Sequence, residues 1–332
     1  MIQLSVIIPT HNRHEKLTAT IACLQGQTLA REMYEIIVVD DGSVPPVLLP
    51  ANTKCKLVRT EGIERSAARN AGAARAQGKL LVFVDDDVSV NTEFLASQLQ
   101  AHHEWPQALL VGKTTLPEQS LAIPFGRFRQ QLEQSGVPME RGLMSLRNFC
   151  AAANMSIPRA QFQKLHGFDP NMTSSEDQDL ALRFTNAGRQ IGFVPEAEGI
   201  HFDSALDIKS YCRRSEWGSE NMIPFCHRYP DWPDNIERER VNGLIRWGQQ
   251  PLTQSLRKLL KLILAFRFIV APLFGLASLL ERFAPQSKLL NRIYRLLLGA
   301  HILRGYRKGL RRFGLVADAN KDITRSLAAT SN

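Results

Sequence analysis

Cysteine is scarce in this chain. Five residues, Cys23, Cys55, Cys150, Cys212 and Cys226, are scattered over 332 positions with no close pairing. That spacing argues against a disulfide framework and a cysteine-based zinc site, and it predicts buried thiols in a reducing compartment. The phosphate-loop signatures are missing too: no Gly-x-Gly-x-x-Gly follows the first hydrophobic run, and no Gly-x-x-x-x-Gly-Lys-Ser/Thr loop occurs, since Gly112-Lys113-Thr114 has Gln107 where that loop needs its first glycine. Dinucleotide redox chemistry and P-loop hydrolysis are thereby set aside. The N-terminus enters a strand-like run, Leu4-Ser5-Val6-Ile7-Ile8, without a basic stretch, a longer apolar region or a cleavage site. No export signal is expected, and the folded part is placed in the cytoplasm. Acidic residues, finally, are almost absent from one region. Between Ser255 and Phe313 thirteen basic residues face a single acid, Glu281, so this segment carries +12 of a net +9 and leaves −3 for the rest. The basicity therefore needs an explanation local to the tail.

What is present is an ordinary folded composition, 44% hydrophobic and 22% charged, in a length suited to one large α/β domain with an extension or to two smaller domains. The most informative stretch is Leu80-Leu81-Val82-Phe83-Val84 followed by Asp85-Asp86-Asp87. Five apolar residues read as a buried strand, and three carboxylates stand where it emerges. Adjacent carboxylates repel each other and resist desolvation, so the strand end calls for a hard divalent cation whose other ligands are substrate phosphates.

Other strands are expected at Leu4–Pro9, Glu35–Val39 and Lys56–Arg59, with helices over 15–27, 64–77 and 92–103. Gly78 is read as the stop of the second helix. Strands alternating with helices imply a doubly wound, mostly parallel sheet, in which ligands sit beyond the carboxyl ends of the strands. Three polar clusters fall there: Pro9-Thr10-His11-Asn12-Arg13, Asp40-Asp41-Gly42-Ser43 and Asp85-Asp86-Asp87. Residues 115–147 read as a variable loop-and-helix excursion suited to acceptor contacts, and 148–157 as a further strand. Ser174 or Ser175 is expected to cap a helix opening with Glu176-Asp177-Gln178-Asp179. Two short strands follow, at 191–195 and 199–202.

In this order and spacing the chain resembles the inverting family-2 glycosyltransferases of the GT-A fold, over roughly residues 1–230. The stretches that carry the resemblance are Val6 to Arg13, Val38 to Ser43, Arg69-Asn70-Ala71-Gly72, Phe83 to Asp87 and Glu176 to Leu180. The resemblance implies a Rossmann-like sheet flanked by helices and a nucleotide-diphosphate sugar as donor, a UDP-sugar foremost. It places Asp41, with Pro9, Thr10 and Arg13, at the nucleotide base and ribose, and turns Arg69 and Asn70 toward the nucleotide. Asp85 and Asp87 match the outer positions of the family's Asp-x-Asp motif, which sets a Mn or Mg ion on the diphosphate, and Asp86 is left to the ribose or solvent. His201 is expected either as a further metal ligand or as a structural histidine. Asp177 would be the base that takes the acceptor proton, with Glu176 the second choice. Arg183 would orient these carboxylates or form a surface salt bridge. Processive family members carry Gln-x-x-Arg-Trp where this chain has Tyr211-Cys212-Arg213-Arg214-Ser215-Glu216-Trp217-Gly218. That departure favours transfer of single residues, with Arg213 or Arg214 left as a contact to the diphosphate.

The expected activity is metal-dependent, inverting transfer of one sugar to a hydroxyl of a glycan or lipid-linked acceptor, in cell-surface polysaccharide or glycoconjugate assembly. A polyprenyl-phosphate glycosyltransferase and a non-catalytic membrane-bound scaffold of a polysaccharide assembly complex are the rivals. Residues 231–254 read as a linker, 255–313 as a basic, apolar helical tail, and 314–332 as disordered. Leu262–Leu280 is an apolar run of about the minimum length for a membrane span; a mid-membrane arginine costs about 2.5 to 3.5 kcal/mol, although Arg267 is off-centre and can snorkel. Leu289, Leu290, Ile293, Leu296 and Leu297 recur at helical spacing among arginines, as in an interfacial helix. An in-plane anchor on the anionic inner face of the plasma membrane is therefore expected ahead of a spanning segment or a soluble helical subdomain. Nucleic acid would account for the charge but not the apolar run. Self-association is left open.

Overall fold

The computed structural model describes residues 1–49, 53–144, 151–203 and 207–314. It separates into two compact units, Met1–Ala122 with Arg129–Ser204, and Ile123–Phe128 with Ala205–Asn332. In chain order the elements up to His201 are β1 (Leu4–Thr10), α1 (His14–Gln25), β2 (Tyr34–Asp41), β3 (Cys55–Thr60), α2 (Glu64–Ala74), β4 (Leu80–Val84), β5 (Val88–Val90), α3 (Phe94–Glu104), β6 (Leu109–Thr115), α4 (Glu118–Leu121), α5 (Pro124–Gln134), β7 (Gly142–Met144), β8 (Asn154–Pro158), α6 (Arg159–Lys164), α7 (Glu176–Asn186) and β9 (Ile191–His201).

Among the described residues the strands form one nine-stranded sheet in the order β3-β2-β1-β4-β8-β6-β9-β5, with β7 paired to β9. Strands β3, β2, β1, β4, β6 and β9 share one direction, while β8, β5 and β7 oppose it. The sheet is thus mixed and mostly parallel. Its centre is dry because β1, β2 and β4 are buried at every residue, as parallel strands covered on both faces must be. Alternate side chains serve opposite layers: Val6, Ile8 and Val38 pack with Leu17, Ile21 and Leu95 of α1 and α3, whereas Ile7, Ile37 and Phe83 pack with Ala68, Phe162 and Phe184 of α2, α6 and α7. Each fully buried aliphatic or Phe side chain contributes about 1.5–3 kcal/mol of transfer free energy. Close approach of α2 to the sheet requires glycine at position 72, where a Cβ would meet Ile7 Cγ2 at 2.6 Å and Val39 Cγ2 at 2.9 Å.

Several local expectations change. Helix α2 stops at Ala74, short of Gly78, whose N–H is instead donated to Ser5 Oγ at 2.8 Å. The two strands expected near 191–202 are one strand, β9, whose pairing with β6 shifts register between Gly112 and Thr114. Much of the 115–147 excursion is ordered as α4, α5 and β7; its last residues, 145–147, lie outside the described residues. The next strand is shorter than expected, Asn154–Pro158, and 148–150 likewise lie outside. Ser175 precedes α7 in the left-handed region, φ 66°, and makes no side-chain cap bond, so the helix opens on its own acidic turn. Cys212 is buried as expected, while Cys23, Cys55 and Cys226 are half-buried free thiols and Cys150 lies outside the described residues.

The second unit is helical: α8 (Ile208–Asn221), α9 (Ile223–Arg228), α10 (Pro233–Asn242), α11 (Leu252–Leu264), α12 (Arg267–Phe283) and α13 (Lys288–Arg312). Its core joins Phe125, Phe128, Cys212, Tyr294, Leu297 and Leu303. Helix α13 lies against α8 at backbone distance, because a Cβ at Gly305 would fall 1.9 Å from the Glu216 carbonyl oxygen and one at Gly309 2.4 Å from that of Glu220. Residues 208–228 therefore group with the C-terminal helices, where the sequence alone extends the sheet domain to 230. Residues 231–254 also pack here: Tyr306 donates to Glu239 Oε2 at 2.9 Å and Lys258 to the Leu244 carbonyl at 3.0 Å. The apolar run 262–280 is not one helix, since α11 and α12 meet at a 68° bend. Among the described residues no single helix is long and apolar enough to cross a membrane. The stripe expected on 289–304 is mostly turned inward, with Leu290, Ile293 and Leu297 buried. Residues 315–332, within the segment expected to be disordered, lie outside the described residues.

Candidate active site

Because β1, β2 and β4 are neighbouring parallel strands, Thr10, Asp41 and the Asp85–Asp87 turn emerge along one edge of the sheet. Antiparallel pairing of β5 with β9 sets Val88 opposite His201, and the Phe202 N–H donates to the Asp87 carbonyl at 2.8 Å. That register brings His201 to the aspartates across a long stretch of chain. One ligand atom each from Asp85, Asp87 and His201 lies within 4.8 Å of the others.

The three aspartates differ sharply in surroundings. Asp85 accepts from Arg69 Nη2 at 2.7 Å. Burial works to raise its pKa, but the charges of Arg69 and Arg65 outweigh it and hold the carboxyl below the usual range. Asp86 is buried, accepting from Thr10 Oγ1 at 2.7 Å and from Arg13 Nη1 at 3.1 Å. Burial pushes its pKa up, against the pull of Thr10 and Arg13. Of the two places expected for Asp86, solvent is therefore ruled out. Asp87 is also buried, yet His201, Arg13 and Lys16 overcome the desolvation and bring it to about 2. Its Oδ2 lies 3.0 Å from Arg13 and 3.4 Å from Lys16. Its Oδ1 lies 3.1 Å from His201 Nε2 but out of hydrogen-bond alignment, and this buried oxygen has no hydrogen bond. An ionised, buried oxygen without a hydrogen bond, beside a second carboxylate and an imidazole, fits a divalent cation of the Mn or Mg kind.

Asp41 Oδ1 is held by Thr60 Oγ1 at 2.6 Å and the Ile63 N–H at 2.8 Å. Pro9 is buried within β1 opposite Val39. Asn70 accepts from the Phe168 N–H at 2.9 Å and donates to its carbonyl at 2.7 Å, so its amide braces the turn at Gly167-Phe168. Arg69 is among the largest fully buried side chains of the described residues. Its guanidinium joins Asp85 to Glu176 Oε1, 2.9 Å away, and lies 5.5 Å over the Phe168 ring. Glu176 is thus engaged in an ion pair.

Asp177 is treated differently. Its oxygens accept from the Gln178 N–H at 2.8 Å and, more distantly, from the Ala152 N–H at 3.4 Å. Burial and then the neighbouring Glu176 charge drive its pKa up to about 7, with Arg69 opposing. A carboxylate that protonates near neutrality suits a general base. Arg183 sits one turn beyond Asp179, which it pairs with, and donates to the carbonyls of Leu165 and Gly167 at 2.6 and 2.8 Å, so it braces α7 from behind. Arg213 and Arg214 lie exposed on α8, in the second unit. The sequence reading missed Lys16 and the Arg69 bridge. The helical spacing of Lys16 from Arg13 was the available signal for the first; the second depends on partners distant in sequence.

The sheet carries the GT-A arrangement. A mannosyltransferase, PcManGT from Pyrobaculum calidifontis, solved in complex with GDP-Man and Mn2+, shares the fold with a TM-score of 0.57 at 14% identity, over 92% of this chain and 88% of that one. The sequence model described as glycosyl transferase family 2 matches residues 5–147, and that of glycosyl transferase family group 2 matches 125–302, more than half the chain. The chain belongs to the family-2 glycosyl transferases. It is 30% identical over 231 residues to validoxylamine A glucosyltransferase of Streptomyces hygroscopicus subsp. limoneus, covering 59% of this chain and 51% of that protein. It is 25% identical over 273 residues to pre-mycofactocin glycosyltransferase of Mycobacterium tuberculosis, covering 79% and 55%. The chain spans about half the length of these curated relatives.

Proposed function

We propose that this protein transfers a single sugar from a nucleoside-diphosphate sugar, with inversion, to a hydroxyl of a glycan or lipid-linked acceptor in cell-surface polysaccharide or glycoconjugate assembly. The observation that carries the reading is the grouping of Asp85, Asp87 and His201 ligand atoms within 4.8 Å at the strand ends. Those three residues would hold Mn or Mg, which supplies Lewis-acid neutralisation of the departing diphosphate. Asp41, Thr10 and Arg13 border the place for the nucleotide, and the carboxylate of Asp41 suits a uracil imide or ribose hydroxyls, hence a UDP-sugar. Asp177 receives the acceptor proton at its carboxylate as the acceptor oxygen attacks C1 from the face opposite the leaving group. Arg69 fixes Asp85 and Glu176, which keeps the charge beside Asp177 in place. A polyprenyl-phosphate acceptor needs little basic assistance, so the raised pKa of Asp177 favours a hydroxyl.

A thermal-shift screen of nucleotide sugars with Mn2+ or Mg2+ tests the donor reading. A donor at 100 times its Kd stabilises the fold by about 2.7 kcal/mol. UDP-sugars are expected to give the largest shift, and only with metal. Absence of a shift with every nucleotide sugar would remove the basis for the proposal.

A further inference from the structure

Helix α11 has its polarity reversed for a helix in water. Ser255 and Lys258 are its buried residues. The Lys258 ammonium donates inward to the Leu244 carbonyl at 3.0 Å and Gln250 Oε1 at 3.2 Å, and Lys261 donates to Asn242 Oδ1 at 2.6 Å. Burial lowers the pKa of both lysines, so the inward face carries a desolvation cost. The leucine stripe points the other way: Leu256, Leu260 and Ile263, at helical spacing, remain 50%, 56% and 45% exposed. The exposed surface continues through the bend at Phe266, 62%, and Phe268, 89%. A contiguous apolar surface of this kind marks something that covers it.

Charge identifies the occupant. Arg257, Arg267 and Arg282 are exposed on the same two helices. The one acid of the segment, Glu281, accepts from Tyr294 Oη at 2.6 Å. A second copy would bring an equally basic surface to the contact and repel it, whereas an anionic lipid headgroup layer complements it. The 68° bend and the absence of any long apolar helix among the described residues favour lying in the interface over crossing it.

We propose that the bend between α11 and α12 is an in-plane docking surface for an anionic phospholipid bilayer. Leu256, Leu260, Ile263, Phe266 and Phe268 enter the headgroup–acyl boundary, and Arg257, Arg267 and Arg282 engage lipid phosphates. The docking element is thus α11 with the start of α12, in place of the inward-facing stripe of α13, and it holds the protein peripherally on the inner, anionic face of the plasma membrane. It stands independently of which sugar is moved.

Flotation of the full chain with phosphatidylcholine vesicles, with and without phosphatidylglycerol, tests it. The protein is expected to float with the anionic vesicles and to stay below with the neutral ones. Leu256→Glu with Leu260→Glu and Ile263→Glu should reduce the floating fraction about tenfold or more at unchanged Tm. Arg257→Gln with Arg267→Gln, which leaves the apolar face intact, should bring anionic binding down toward the neutral level and decides the matter if the first variant misfolds. Wild-type protein that remains soluble with anionic vesicles overturns the proposal. So does a wild-type dimer, seen by light scattering, that the glutamate variant converts to monomer while flotation is unchanged.

Discussion

Asp177→Asn is expected to lower the rate of sugar transfer by about 10²–10⁴-fold while making the protein more stable. The amide keeps the size of the carboxyl group and can still accept from the Gln178 N–H, but it takes no proton from an acceptor. Donor affinity, set by the strand-end aspartates, should stay within a few-fold. The pH dependence gives an independent readout. In the wild type, kcat/KM should rise with pH as Asp177 ionises, with an apparent pKa of about 7, and the variant should lose that limb. Stability moves oppositely. A carboxyl whose folded-state pKa is raised above its unfolded value of about 3.9 contributes stability that is complete below that value and is lost as pH rises through the folded pKa. At pH 8 the wild type therefore carries the cost of a charge that desolvation and Glu176 disfavour, and the variant is relieved of it. A scanning-calorimetry series from pH 5 to 8 should show the Tm advantage of the variant growing with pH. A variant that transfers at the wild-type rate would take the base role away from Asp177.

Arg69→Met should produce the largest loss of stability of any single change in the site. The guanidinium is buried between Asp85 and Glu176, and methionine replaces its length without its charge. Two carboxylates would then face each other without compensation beneath the substrate edge. Removal of one partner from a buried ion pair costs about 3–5 kcal/mol, which urea denaturation would register as a lower midpoint at similar m-value. The deficit should shrink in acid. Asp85 has a lowered pKa in the folded wild type, so its contribution is present above the unfolded pKa of about 3.9 and is lost as pH falls through the folded value. A stability equal to that of the wild type would mean that Arg69 is a nucleotide contact, as the family resemblance suggests, and not the strut seen here.

The parts of the site that lie close together in sequence could be read from it. Asp85, Asp86 and Asp87 directly follow five apolar residues, so both the strand and its acidic end are local signals. The repeated change from apolar strand to polar turn at Thr10, Asp41 and Asp85 likewise reports the parallel sheet. Individual environments could not be read in this way. The sequence shows three adjacent carboxylates, but their hydrogen bonds come from Arg69, Thr10 and Arg13, on other elements. The meeting of Asp87 with His201 depends on β5–β9 register, and the ion pair of Glu176 depends on where α2 settles against β1 and β2 through Gly72. The same limit explains the tail. Leucines recur at helical spacing on both α11 and α13, but their spacing alone does not say which stripe is covered; the close packing of Gly305 and Gly309 against α8 goes with α13 burying Leu290, Ile293 and Leu297, whereas α11 leaves Leu256 and Leu260 exposed.

If Asp85, Asp87 and His201 hold a divalent ion as proposed, donor turnover depends on that ion. The direct measurement is release of nucleoside diphosphate from a turned-over nucleotide sugar, followed before and after chelation, in the wild type and in Asp87→Asn. Chelation is expected to abolish release, Mn2+ or Mg2+ to restore it in the wild type, and no concentration of either ion to restore it in the variant. Undiminished release by the chelated wild type would contradict the proposal.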